Sequence, residues 1–229
     1  MLLINKVTLY SDALEETKRF YVRELGFSLA EDTGDSFTIK AGESELAFRR
    51  ADSHSHPFYH FAFNIPNNTF DEAKAWAKDK VVFQTEDGED EVYFPHINAR
   101  SFYFSDPSQN LVEFIARDTS PACGERFSIQ SVLNIGEINV TAAEVVSTGE
   151  TLQRFGIPVR NSGPLAEDGF HFMGDYGDGA FLLLGPRGRR WIFSDQNAEF
   201  HPLSITVNGN TQIEANGEGG IDITRERPS

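Results

Sequence analysis

Residues 5–27, NKVTLYSDALEETKRFYVRELGF, set out a local pattern that returns further along the chain and so narrows the fold to a repeat of one unit. Val7 and Leu9 oppose Lys6, Thr8 and Tyr10, the period-two alternation of a strand with one packed face. A helix is predicted from Asp12, capped reciprocally by Glu15, with Leu14, Tyr21 and Leu25 along one apolar stripe and Gly26 as its stop. Three strand-like runs with turn residues between them complete the unit: SLAEDTG, SFTIKAG and SELAFRR. The same order starts again at His60. HFAFNIP is the strand, Thr69 and Glu72 the cap pair, Phe70, Ala73 and Ala77 the helix face, and VVFQTED, EVYFPHI with SFYFSDP, and NLVEFIA the following runs.

A third copy opens near Glu137, where Ile138 and Val140 oppose Glu137 and Asn139. Its helix is expected over 141–155, capped by Thr141 with Glu144 or Ser147 with Glu150 and weakened by Gly149. GFHFMGDY, GAFLLLG and RRWIFSD complete it. A fourth strand, PLSITVNG, leads only to TQIEANGEGGIDITRE, which suits a hairpin. RDTSPACGERFS has the composition of a linker. The expected organisation is therefore a complete first domain of two units over 1–118, a linker over 119–127, and a diverged second domain over 128–229 whose last unit is truncated. The class is α+β, built of repeated βαβββ units. The polar side of each opening strand can line a cavity or face solvent, and alternation alone does not choose between them.

Composition excludes some partners. A formal charge of −15, from 35 acidic and 20 basic residues, with no compensating basic run, opposes binding to phosphate backbones or anionic lipid. The start, MLLINKVTLYSD, becomes polar too soon for a signal peptide or a membrane span, and the lone Cys123 cannot form an internal disulfide. A reduced, cytoplasmic setting is the expectation. GPRGRRW is a short basic turn in an otherwise acidic chain.

The stretches KVTLYSDALEETKRFYVRELGF, HFAFNIP and SFYFSDPSQNLVEFIAR, in this order and spacing, resemble the vicinal oxygen chelate superfamily, which includes glyoxalase I, bleomycin-resistance proteins, fosfomycin-resistance enzymes and extradiol dioxygenases. The resemblance covers 1–118 well and continues as a fainter echo. It implies curved mixed sheets with helices outside, a cup formed by paired units, and dimers or an internally paired arrangement. The family's commonest ligand set is a histidine on the opening strand, a histidine in an HxAF-like strand and a glutamate after a DPxGN turn. His60 matches the second and Glu113 the third, whereas Lys6 stands at the first. Gln109 replaces the glycine of the turn, so the backbone there must manage without the residue that best tolerates positive φ.

Two ligands fall short of the usual three. The resemblance with Lys6 in place therefore implies a degenerate site in which its ammonium neutralises Glu113, with His60 a hydrogen-bonded core imidazole or a metal ligand. The expected cavity residues are Lys6, Thr8, Tyr10, His60, Arg100 and Glu113, with Tyr103 beside them. His60 and Glu113 form an incomplete metal set, and no cofactor is required although a divalent metal is allowed. Glu45 is the nearest additional carboxylate, with its direction open against Leu46. Ser204 in the second half replaces the inner histidine, so a second metal site is not expected. His54 and His56 read as solvated, and His96, His171 and His201 as structural. Three functions follow: a metal-free protein binding a small molecule in the cup, a metal-dependent lyase, dioxygenase or transferase, and a protein-interaction module.

Overall fold

The computed structural model describes residues 2–225; the last four positions of the expected second domain lie outside them. The first unit is β1 (Ile4–Ser11), α1 (Leu14–Arg19) continuing as a π-helical segment Phe20–Leu25, β2 (Ser28–Asp32), β3 (Ser36–Ala41) and β4 (Ser44–Arg50). The second is β5 (His60–Ile65), α2 (Phe70–Ala77), β6 (Val92–Phe94), β7 (Ala99–Ser105) and β8 (Leu111–Arg117). The third is β9 (Asn134–Thr141), α3 (Val145–Arg154), β10 (His171–Met173) and β11 (Phe181–Gly185). The fourth is β12 (Pro202–Val207) followed by the hairpin β13 (Thr211–Asn216) and β14 (Ile221–Arg225), with no helix, as its sequence suggests. Among the described residues no helix is long and apolar enough to cross a membrane.

The units pair in an order that local patterning does not reveal. One seven-stranded sheet runs β14-β13-β12-β1-β4-β3-β2 and joins units one and four; the other runs β10-β11-β9-β5-β8-β7-β6 and joins units two and three. In each sheet the opening strands meet antiparallel, β1 with β12 and β5 with β9; on their other sides β1, β5 and β9 pair in parallel with β4, β8 and β11, the last strands of their units, whereas β12 pairs antiparallel with β13. Each sheet thus takes strands from both halves of the chain. The expected pairing of units one and two into one cup does not occur. One continuous core receives Val7, Leu9 and Phe48 from the first sheet, Phe61, Phe63 and Phe114 from the second, and Leu14, Tyr21 and Leu25 from the first helical segment. Burying each such large side chain is worth roughly 1.5–3 kcal/mol, which ties the two sheets into one cooperative body.

Several local expectations change. The first helix begins at Leu14, and the Ala13 N–H donates to Ser11 Oγ at 3.1 Å, while Asp12 instead meets His56. Thr69 does precede the second helix, but Glu72 accepts from the Phe127 N–H at 2.8 Å rather than closing a cap. The third helix starts at Val145, whose N–H is accepted by Glu167 at 2.8 Å, and it continues through Gly149, whose missing Cβ leaves the space that Leu165 fills. VVFQTED makes only isolated bridges, including Phe83 to Phe104, and RRWIFSD forms no strand. Capping by distant side chains is invisible to a local reading because it depends on tertiary approach.

Candidate functional site

The site lies on the cup face of the second sheet, at the junction of β5, β8 and β9. Ala62 is paired with Glu113 on one side and Glu137 on the other. Its methyl group leaves the space between the two strands open, so both carboxylates converge above it. His60 stands two residues earlier on the same strand face. One atom from each of His60, Glu113 and Glu137 lies within 4.8 Å of the others, and all three residues are buried. Glu137 was legible as the polar residue of the third opening strand; its meeting with His60 was not.

Neighbouring groups set the chemistry of this trio. His60 Nδ1 is 3.1 Å from the Leu111 carbonyl, which fixes the proton on that nitrogen and turns Nε2, with its lone pair, toward Glu113 Oε2 at 3.6 Å. Burial, reinforced by the Arg189 charge, holds the imidazole below its usual pKa against the opposing pull of Glu137 and the Leu111 carbonyl. Burial pushes Glu113 up to about 8, and the charge of Glu137 adds to the rise, while Ser101, Arg117 and Tyr103 oppose it. Arg117, itself buried, donates from Nη2 to Glu137 Oε1 and from Nε to Asn64 Oδ1 at 3.0 Å, so Glu137 is oriented through one oxygen. Asn64 is fixed in turn by Asn134 and the Gly179 carbonyl, both at 2.8 Å.

The turn before β8 positions two of the three residues. Asp106 accepts from the Ser108 and Asn110 N–H groups at 2.9 Å and from Asn110 Nδ2 and the Tyr21 hydroxyl at 2.8 Å. Asn110 Oδ1 then accepts from the Tyr59 N–H at 2.8 Å, locking the start of β5 beside the start of β8. Gln109 takes φ 62°, the left-handed conformation that glycine would adopt more easily. Burial pushes Asp106 up to about 6 despite its four donors.

A cavity of about 260 Å³ opens above the trio. Its walls are largely apolar, with Ile97, Ile115, Phe170, Phe172, Leu183 and Trp191 among them, and Tyr103 and Arg189 supply polar groups. The segment from Pro186 to His201 contributes part of the rim. Glu86 secures it by accepting from Arg190 Nη1 at 3.1 Å and from the Phe193 N–H at 2.6 Å. Phe193 takes φ 57° and stacks on Tyr103 with ring centroids 4.7 Å apart. A bulky residue in that backbone region is held there by its surroundings.

The other predicted residues are placed elsewhere. Lys6, Thr8 and Tyr10 lie on β1 in the first sheet, and Lys6 pairs with Glu45 at 3.5 Å. Glu45 therefore faces Lys6 and Lys40, and Leu46 enters the core. The expected neutralisation of Glu113 by Lys6 is not realised, because the two strands belong to different sheets; Arg117 is the cation near that carboxylate. Register makes the comparison direct. Thr8 is flanked by Ala47 and Ser204 as Ala62 is by Glu113 and Glu137, so the first sheet carries Lys6, Ala47 and Ser204 where the second carries the trio. Arg100 binds Asp71 at 3.0 Å and Glu91 at 2.9 Å over the Phe70 ring, on the opposite strand face from Tyr103, and does not line the cavity. His54 and His56 are exposed, and His96 lies at the cavity mouth. Arg117 and Arg189 were missed as site residues; for Arg189 the basic turn in an acidic chain was the available signal.

No characterised protein matches the chain closely in sequence. The family model described as glyoxalase/bleomycin resistance protein/dioxygenase superfamily matches residues 3–114, which include His60 and Glu113; that of toxoflavin-degrading enzyme matches 135–189, which include Glu137 and Arg189. Among solved structures, a presumed dioxygenase of Bacillus subtilis has a TM-score of 0.57 at 16% identity, covering 80% of this chain and 64% of its own. Lactoylglutathione lyase of Agrobacterium tumefaciens has a TM-score of 0.41 at 23% identity, covering 48% and 90% respectively. Residues 3–114 belong to the glyoxalase/bleomycin resistance protein/dioxygenase superfamily, the vicinal oxygen chelate proteins, and the paired βαβββ units carry the glyoxalase-like fold through both sheets.

Proposed function

We propose that the protein is a divalent-metal-dependent enzyme of the lyase or dioxygenase type, acting on a small molecule with adjacent oxygens, and that His60, Glu113 and Glu137 are its metal ligands. The observation that carries this reading is the convergence of one imidazole nitrogen and two buried carboxylates within 4.8 Å. Two buried carboxylates beside one another repel, and a cation between them relieves that repulsion. One nitrogen and two carboxylate donors suit Mn²⁺ or Fe²⁺ better than a thiolate-loving ion, and three protein ligands leave positions for substrate. When bound, such an ion supplies Lewis acidity toward substrate oxygens. The Leu111 carbonyl and Arg117 orient the first and third ligands as outer-shell partners do. The lone Cys123 fits a reducing, cytoplasmic setting.

A second reading, a metal-free cup that binds a small molecule, is favoured by one observation: Arg117 already supplies a positive charge to Glu137. Elemental analysis of protein purified without chelators separates the two. Near-stoichiometric Mn or Fe is expected in the wild type, with loss of that metal in Glu137→Gln and His60→Ala. A wild type that stays metal-free after incubation with Mn²⁺ and Fe²⁺ leaves the binding cup as the better account.

A further inference from the structure

The basic turn at 186–190 carries three arginines in an acidic chain, and the proposed metal site uses none of them. Its three arginines have different surroundings. Arg190 is bound to Glu86, and Arg187 lies over the Phe200 ring at 5.7 Å from its centroid. Arg189 lines the cavity, half-buried, and its guanidinium lies 3.5 Å from the Phe170 centroid. No carboxylate pairs with it among the described residues, although the chain carries 35 acidic side chains to its 20 basic ones. Its field reaches His60, so it stands within reach of a molecule that also approaches the trio.

A half-buried guanidinium stacked flat on a ring keeps its donor edge free, and that fork matches planar or tetrahedral anionic oxygens in bidentate fashion. The cavity volume of about 260 Å³ is slightly below the usual range for drug-sized ligands, roughly 300–1,000 Å³, and its walls are mainly rings and branched aliphatic chains. Glu86 and the strained Phe193 hold the segment that carries Arg189 in place over the opening.

We propose that Arg189 is a substrate-binding residue that selects small, flat, largely apolar molecules bearing an anionic oxygen group, carboxylate or phosphonate, held between the Arg189 guanidinium and the apolar walls. This deepens the proposed function, since the anion anchors the substrate whose oxygens the trio addresses, but recognition at Arg189 does not itself require a metal.

The test is calorimetric titration of the full chain with benzoate and phenylphosphonate, and with benzamide as the neutral counterpart of benzoate, using both metal-free and Mn²⁺-loaded protein. At least one of the two anions is expected to bind metal-free wild type at least about tenfold more tightly than benzamide, and to lose about tenfold or more in Arg189→Gln. Arg189→Lys is expected to recover part of the loss, because it restores the charge without the fork. Benzamide affinity should be the same in wild type and Arg189→Gln, which also reports that the cavity is intact. Equal affinity for anions and amide, unchanged anion affinity in Arg189→Gln, or no binding of either anion overturns the proposal. Metal uptake without anion preference removes this proposal and leaves the metal centre standing; anion preference in a protein that takes up no metal does the reverse.

Discussion

Replacing Glu113 with glutamine in the metal-free protein removes a carboxyl group that burial and Glu137 push from 4.5 to about 8. The folded chain keeps this proton between those values while the unfolded chain has released it, so the native state binds more protons and stability falls as pH rises. The effect is absent below 4.5 and complete above 8. At 1.36 kcal/mol per pH unit, a gap of this width corresponds to something on the order of 5 kcal/mol. Other buried groups overlap the lower part of this window. Asp106, pushed up to about 6, destabilises in the same sense and finishes ionising above pH 6.5, while His60 and His201, both held low by burial, act in the opposite sense until the unfolded imidazoles have lost their protons, about one pH unit above 6.5. Both proteins carry these groups, so the difference between wild type and Glu113→Gln in urea unfolding from pH 6.5 to 8.5 isolates Glu113. Across that range the wild type should lose stability relative to the variant, and the variant should be the more stable of the two at pH 8.5. Saturating Mn²⁺ should reverse the wild-type slope, because a bound cation favours the ionised carboxylate. Parallel slopes for the two metal-free proteins would refute the argument that burial and Glu137 hold this proton on Glu113.

Three further outcomes follow from the geometry. Lys6→Ala should leave Mn²⁺ affinity unchanged by isothermal titration, since Lys6 pairs with Glu45 on the other sheet; a marked change would place that ammonium in the site after all. Gly136→Ala should weaken Mn²⁺ binding by about tenfold, because a Cβ there overlaps the Asn64 amide that steadies Arg117 and through it Glu137, and normal affinity would mean that this support is dispensable. Asp106→Ala should cost about 2–4 kcal/mol in urea unfolding by orphaning buried donors from Ser108, Asn110 and Tyr21, and a loss under 1 kcal/mol would show that the turn holds without them.

Most of the strands, the helices' approximate places, and the polar or apolar side of each opening strand are determined by the sequence itself; VVFQTED and RRWIFSD, which form no strand, are the exceptions. Alternation is a property of a few neighbouring residues and survives any tertiary arrangement: Ile138 and Val140 enter the core and Glu137 faces the cup wherever β9 goes. His60 and Glu113 were likewise legible, because a strand pattern and a turn pattern mark them within one unit. What only the tertiary structure decided is which opening strands meet. Lys6 and Glu137 occupy equivalent strands of their units, yet antiparallel hydrogen bonding joins β9 to β5 and β12 to β1, and that non-local choice brings a carboxylate, not an ammonium, to His60. Arg189 depends on tertiary structure for the same reason, since a loop's side chain acquires its surroundings only when distant walls close around it.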